Sequence, residues 1–126
     1  MTLIYVPISI GELIDKITIL TLKVQRLTAE SSMNAAKELS ELEKIYIKNN
    51  FNIDKSLIDE LASINSRLWD IENQLRMKEL KQDFGQEFIT LARSVYFEND
   101  KRFKVKKEIN LLSGSIIVEQ KSYQKY

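Results

Sequence analysis

Leu57, Leu61, Ile64, Leu68, Ile71 and Leu75 recur at alternating steps of four and three residues. This is the a/d spacing of a helix that buries one narrow apolar seam. Neither Gly nor Pro occurs between Lys55 and Gln82, so nothing interrupts it. The same economy holds throughout, with three Gly and one Pro in 126 residues. A chain with so little punctuation favours long helices over many short strands. The pattern predicts a mainly α fold: an antiparallel three- to four-helix bundle with long helices and short extended N- and C-terminal segments. One domain should cover residues 1–126.

Helix one is expected from about Ile10 to Thr28. Ser9 and Glu12 have the spacing of a capping box, in which Glu12 reaches back to the N–H of the cap. Gly11 in the first turn counts slightly against helix. Ile10, Leu13, Ile14, Ile17, Leu20, Val24 and Leu27 form a broad apolar face, while Ile19 and Leu22 lie on the other side with Asp15 and Arg26. A helix apolar on two sides is central in a bundle or meets a second copy. "ESSMN" at 30–34 looks like a turn, which would start helix two near Asn34 and run it to Lys48. Its inward residues would be Ala35, Leu39, Leu42 and Tyr46. Helix three should span about Lys55–Gln82, and helix four about Gln86–Leu112 with its stop near Gly114. "LIYVPISI" and "SIIVEQKSY" are rich in β-branched residues and could pair as extended segments. Self-association is expected through the heptad seam or through Ile19 and Leu22.

Composition removes several chemistries. The chain has no Cys and no His. It can form no disulfide, thiol nucleophile, Ser-His-Asp triad or HExxH zinc site. Only hard cations on carboxylates would remain as metals, and neither metal nor cofactor is expected. With 19 basic and 18 acidic residues the net charge is +1, so no global field draws a polyanion. No signal peptide is visible at the start, and no apolar run approaches the ~18 residues of a membrane span. A cytoplasmic protein with no membrane partner is the expectation.

Two polar stripes interrupt otherwise apolar helix faces. On helix three, Asn65, Glu72 and Arg76 lie between the seam and a strip of Ile58, Ala62 and Trp69. Glu72 and Arg76 are four apart and can pair. On helix four, the face of Phe88, Ala92 and Val95 continues as Asn99, Arg102 and Lys106. One charge buried without a partner would cost on the order of 3–5 kcal/mol. That is a large part of a domain's stability of about 5–15 kcal/mol. These groups must therefore protrude, pair internally (with Asp100 or Glu72 as the nearest candidates), or line a cleft. A cleft would accept an anion, with Arg102 as a fork, Lys106 as a point charge and Asn99 as an orienting amide. Asn65, Trp69, Glu72, Arg76, Asn99, Arg102 and Lys106 are the candidate ligand-binding residues. Glu72 and Asp100 are the candidate acid/base residues.

Other motifs carry less. Five cations fall within Lys101–Lys107, but Glu98, Asp100 and Glu108 bracket them and no readout motif accompanies them. Nucleic acid is not an expected partner. Glu38-x-x-Glu41 and Glu12-x-x-Asp15 have the spacing of the Mg²⁺ motifs in helical nucleotide pyrophosphatases, in the wrong order. Arg26, Arg76, Arg102 and Lys106 supply the residue types of a helical chorismate mutase, by fold analogy only.

"PISIGELIDKITILTLKVQRL" at 7–27, "LWDIENQLRMKE" at 68–79, "DFGQEFITLARSVYFENDKR" at 83–102 and "VEQKSY" at 118–123 resemble DUF6165, a bacterial and phage family. The stretches match in order and spacing; 28–55 departs most. The resemblance implies intracellular helical proteins, some encoded near surface-polysaccharide or glycosyltransferase genes, and assigns no active site. The functional expectation is a non-catalytic binding or assembly module with an anion-accepting cleft between helices one, three and four. Its partners would be a small anionic ligand, a second copy or another protein. The alternative is a small all-α enzyme acting on a phosphosugar, nucleotide or dicarboxylate by carboxylate general acid/base catalysis.

Overall fold

A computed structural model describes residues 2–126. Four helices follow in order: α1 (Ile10–Arg26), α2 (Ala29–Lys48), α3 (Lys55–Leu80) and α4 (Gln86–Ser113). No strand occurs among the described residues, so segments 2–9 and 115–126 are extended without forming the ladder that their β-branched residues suggested.

The central position anticipated for α1 is observed: it contacts α2, α3 and α4, and α3 packs along α4. The core joins Ile14 of α1, Leu57, Leu61 and Ile64 of α3, and Val105 and Ile109 of α4. Ile10, Tyr46, Ile53, Ile58 and Leu68 close its edges. The first half of the heptad seam is thus buried within the chain's own core. Leu22 is also buried and Ile19 is half-buried within the bundle.

The helix ends show where local signals held. Ser9 caps α1 by accepting the Glu12 N–H at 3.0 Å. The other half of the expected capping box does not form, because the Glu12 carboxylate turns to Lys106 instead. The N–H groups of Ile10 and Gly11 are taken from across the fold, by Ser115 Oγ at 3.2 Å and Asn110 Oδ1 at 2.6 Å. Every early amide of α1 therefore has a partner. Asp54 caps α3 through the Ser56 N–H at 2.9 Å. That helix ends at Leu80, before the expected Gln82, because Gln82 turns into the left-handed region at φ 55°. Gly114 closes α4 at φ 72°, the conformation glycine adopts without steric cost.

Helix two corrects the reading of 30–34. Those residues are helical, and α2 begins at Ala29. The turn is only Leu27 and Thr28, both extended in backbone. Serines in a first turn are compatible with helix, and Ser32 Oγ donates to the Ala29 carbonyl at 3.0 Å. Packing on α1 then decides the matter.

At 1.5 Å per residue, α1 is roughly 26 Å long, while α3 and α4 are roughly 39 and 42 Å. The end of α1 lies beside the middle of α3, where Arg26 reaches Ser66 and Asp70. The rest of α3 and the start of α4 continue as a two-helix hairpin without a third helix. Met77, Leu80, Phe84 and Ile89 are exposed there.

Gly11 permits the closest approach of α1 and α4. A β-carbon there would lie 2.6 Å from the Lys106 backbone oxygen and 3.0 Å from Asn110 Oδ1. Gly11→Ala gains about 1 kcal/mol in helix propensity, yet overpacking against a rigid backbone costs about 1–3 kcal/mol. The expected result is a net loss of stability in urea unfolding; a stabilised variant would disprove the tight approach.

Candidate functional site

The polar stripes lead to one buried network, anchored by α1. Glu12 and Asp15 stand one turn apart and face α4. Asp15 is 1% exposed, at the junction of α1, α3 and α4. It is not left as a bare charge. Arg102 grips it with two donors, Nε to Oδ1 at 2.9 Å and Nη2 to Oδ2. Asn65 of α3 donates one amide to Asp15 Oδ1 and to Thr18 Oγ1, each at 2.9 Å. Such a fork with full satisfaction of the carboxylate is the geometry that lets an ion pair survive burial. Asn99 accepts a long 3.5 Å contact from Arg102 Nη1, so it orients the guanidinium from its own helix.

Lys106 extends the network by one turn of α4. Its ammonium donates to Glu12 Oε2 at 2.7 Å and lies 3.9 Å from Asp15 Oδ2. A third carboxylate, Glu119 of the C-terminal segment, stands 3.0 Å away. That Glu119 oxygen is buried and has no well-formed hydrogen bond, so the contact is charge proximity off the hydrogen-bond axis. Burial works against the Lys106 charge as the largest single effect. Its hydrogen bond to Glu12, with the nearby carboxylates of Glu119 and Asp15, outweighs it and holds the ammonium pKa above the ordinary lysine value. The Arg102 guanidinium is raised likewise, first by its hydrogen bond to Asp15.

Four of the proposed ligand-binding residues therefore meet: Asn65, Asn99, Arg102 and Lys106. The other three do not join them. Trp69 is half-buried beneath the Arg26 guanidinium at 5.8 Å. Glu72 and Arg76 are exposed, and among the described residues neither forms an ion pair. They lie past the end of α1, on the hairpin, where no helix closes a pocket over them. The internal partners are also other than Asp100 and Glu72. Asp100 accepts the hydroxyl of Tyr126, whose ring meets Tyr96 and Phe97 edge-on.

The network is packed rather than hollow. Two concavities of about 390 and 730 Å³ lie beneath the N-terminal arm along α1 and α2, and Arg102 and Lys106 line neither. No group of three or more His, Cys, Asp or Glu side chains that could hold a metal occurs among the described residues. The basic run at 101–107 is largely committed: Lys101 pairs with Glu98, and Arg102 and Lys106 with α1.

Sequence reasoning missed Glu12, Asp15, Glu98 and Glu119 as partners. Glu98 is buried and takes Arg67 of α3 at 3.0 Å and Lys101 at 3.2 Å. Burial opposes its ionisation, but those two cations together keep its pKa below the usual carboxylate value. The available signal for Asp15 was its place in the turn between Ile14 and Thr18, one residue from the core face.

The C-terminal segment runs back along α4. Ser115 starts it at α1, Glu119 reaches Lys106, and Lys121 lies over the Phe103 ring at 5.3 Å. Tyr126 ends it on Asp100.

Fold and network together define a mainly α helical-bundle protein with an ion cluster built into its core. The chain belongs to the DUF6165 family, described as a family of unknown function, whose model matches residues 4–126. No curated protein and no solved structure matches it. No helix among the described residues is long and apolar enough to cross a membrane.

Two predictions follow from this geometry. Asp15→Ala leaves Arg102 without its fork and Asn65 short of an acceptor; stability should fall by about 3–5 kcal/mol in chemical unfolding. The double variant Asp15→Leu, Arg102→Met should recover much of that loss, because both charges are then gone. Equal loss in the double variant would show that the two residues are not coupled. The second prediction concerns Tyr126, whose hydrogen bond to Asp100 pushes its pKa up to about 12 from 10.0. The contact is then complete below pH 10 and is lost as pH rises through about 12. Tyrosinate absorbance should show one late-titrating tyrosine, absent in Tyr126→Phe; titration of all five together would refute the contact.

Proposed function

We propose that this protein is a non-catalytic binding module that takes an anionic group at Lys106, beside the Arg102–Asp15 pair. One observation carries this reading. Arg102 and Lys106 already face two carboxylates of α1, so their charges are balanced without Glu119. Lys106 nonetheless has a third carboxylate beside it, supplied by an extended segment rather than by a helix. The Glu119 side chain is 36% exposed although its Oε2 is buried, so withdrawal of this segment would open the position beside Lys106 to a group from outside. The Arg102 fork and the Asn65 and Asn99 amides hold the neighbouring positive charge in place.

The acid/base alternative has weaker support. Glu72 is exposed with no ion-pair partner among the described residues, and Asp100 is engaged by Tyr126. Among the described residues neither forms an ion pair with a cation that would stabilise a developing negative charge. A connection with surface-polysaccharide chemistry has only the family resemblance behind it, and carboxylated or phosphorylated sugars would be the matching ligands.

Thermal unfolding of the full chain with dicarboxylates, phosphosugars and nucleotides tests the reading. At least one class should raise the midpoint saturably, by roughly 5–10 °C at a hundredfold excess over its Kd. Lys106→Gln should abolish the shift. No shift with any class, or a shift that persists in Lys106→Gln, would overturn it.

A further inference from the structure

The C-terminal segment reads as a tenant of the site beneath it. From 116 to 126 it makes no backbone hydrogen bond to the helices; among the described residues its ties to them are through side chains. It is anchored at both ends. Ser115 is fixed at the start, its N–H bonded to the Asn110 carbonyl at 2.9 Å and its hydroxyl accepting from Ile10. Tyr126 holds the far end on Asp100, with its ring against Phe97 at 4.9 Å. Between these anchors, Ile116 is 99% exposed and contributes no packing.

The middle contact is the least well seated. Glu119 Oε2 is buried and close to Lys106, yet it lacks the hydrogen-bond geometry that Glu12 achieves with the same ammonium. A buried carboxylate oxygen without a directed donor is held less firmly than one with it. Withdrawing Glu119 would leave two cations facing two carboxylates, with no unpaired charge on the helices. Another carboxylate entering from solvent would restore the present charge pattern and could align better with Lys106.

We infer that segment 115–126 is a displaceable strap whose Glu119 occupies a carboxylate-accepting subsite at Lys106. The incoming carboxylate belongs to an acidic residue of an extended peptide or to a small organic acid. The strap then sets the affinity of the site, since a ligand must compete with the segment tethered beside it. This inference rests on the anion-binding reading above and adds its ligand group and its control.

The test uses the full chain and its Glu119→Gln variant, which keeps the strap's shape and removes its charge. Two probes are titrated by calorimetry: a synthetic peptide of residues 115–126, and succinate. One of them should bind Glu119→Gln at least about tenfold more tightly than the unaltered chain. Which probe gains tells whether the carboxylate comes from an extended peptide or a free acid. If the peptide is the one that gains, its counterpart carrying Gln in place of the acidic residue should not bind. Equal affinities in the two proteins, or equal binding of the Gln peptide, would overturn the strap. Should Glu119→Gln lose its helical circular dichroism, Tyr126→Leu makes the same comparison through the far anchor. If anions raise the thermal midpoint of the unaltered chain but neither variant gains affinity, the strap is wrong and the anion-binding reading stands. If no anion binds any of these proteins, both fail.

Discussion

Asp15 is the group on which the arrangement of the helices depends. It is a carboxylate removed from water where three helices meet, and its environment is acceptable only when all three are in register. Arg102 must arrive from α4 at the right height to fork it, and Asn65 must arrive from α3 to bond it and Thr18 together. A one-turn shift of α4 would lose the fork, and a one-turn shift of α3 would lose the amide that ties Asp15 to Thr18. An apolar core of Leu and Ile tolerates small slips with modest loss; this one does not. Buried ion pairs add little net stability over apolar replacements, and their best-attested structural use is to specify register. Gly11 complements this by letting α4 come close enough for Lys106 to reach Glu12.

Much of the fold was legible from local chemistry. The apolar periodicities located α1, α3 and α4 to within a few residues, because their caps are short-range devices. Ser9, Asp54 and Gly114 act on backbone groups within a few positions of themselves. The start of α2 was not legible, because Ser31 and Ser32 suit a turn or a first helical turn equally well. What decides between them is the packing of α2 on α1.

The site was half legible. Asn65, Asn99, Arg102 and Lys106 stood out because polar groups on an apolar face must be satisfied somewhere. Their partners did not stand out, since Asp15 and Arg102 are 87 positions apart and nothing local couples them. Asp15 also resembled an ordinary solvent-side acid beside Arg26. Glu72 and Arg76 matched the polar pattern equally well but lie beyond the end of α1. Helical phase can be read from sequence, but the length of the neighbour that covers a face cannot. The same limit hid Glu119, which meets Lys106 only because an irregular segment folds back along α4.

The unequal helix lengths grade the molecule mechanically. Near α1 a backbone opening in α3 or α4 must break the core and the ion cluster together. Toward the loop at 81–85 the same two helices hold only each other, through half-buried side chains such as Ile71, Leu75 and Val95. Local opening there would disrupt fewer buried contacts than at the root, so amides of the hairpin end are expected to exchange sooner than those beside α1. The free end of the hairpin can fray and re-form like a hinged tip, while the root that carries Asn65 and Arg102 stays closed.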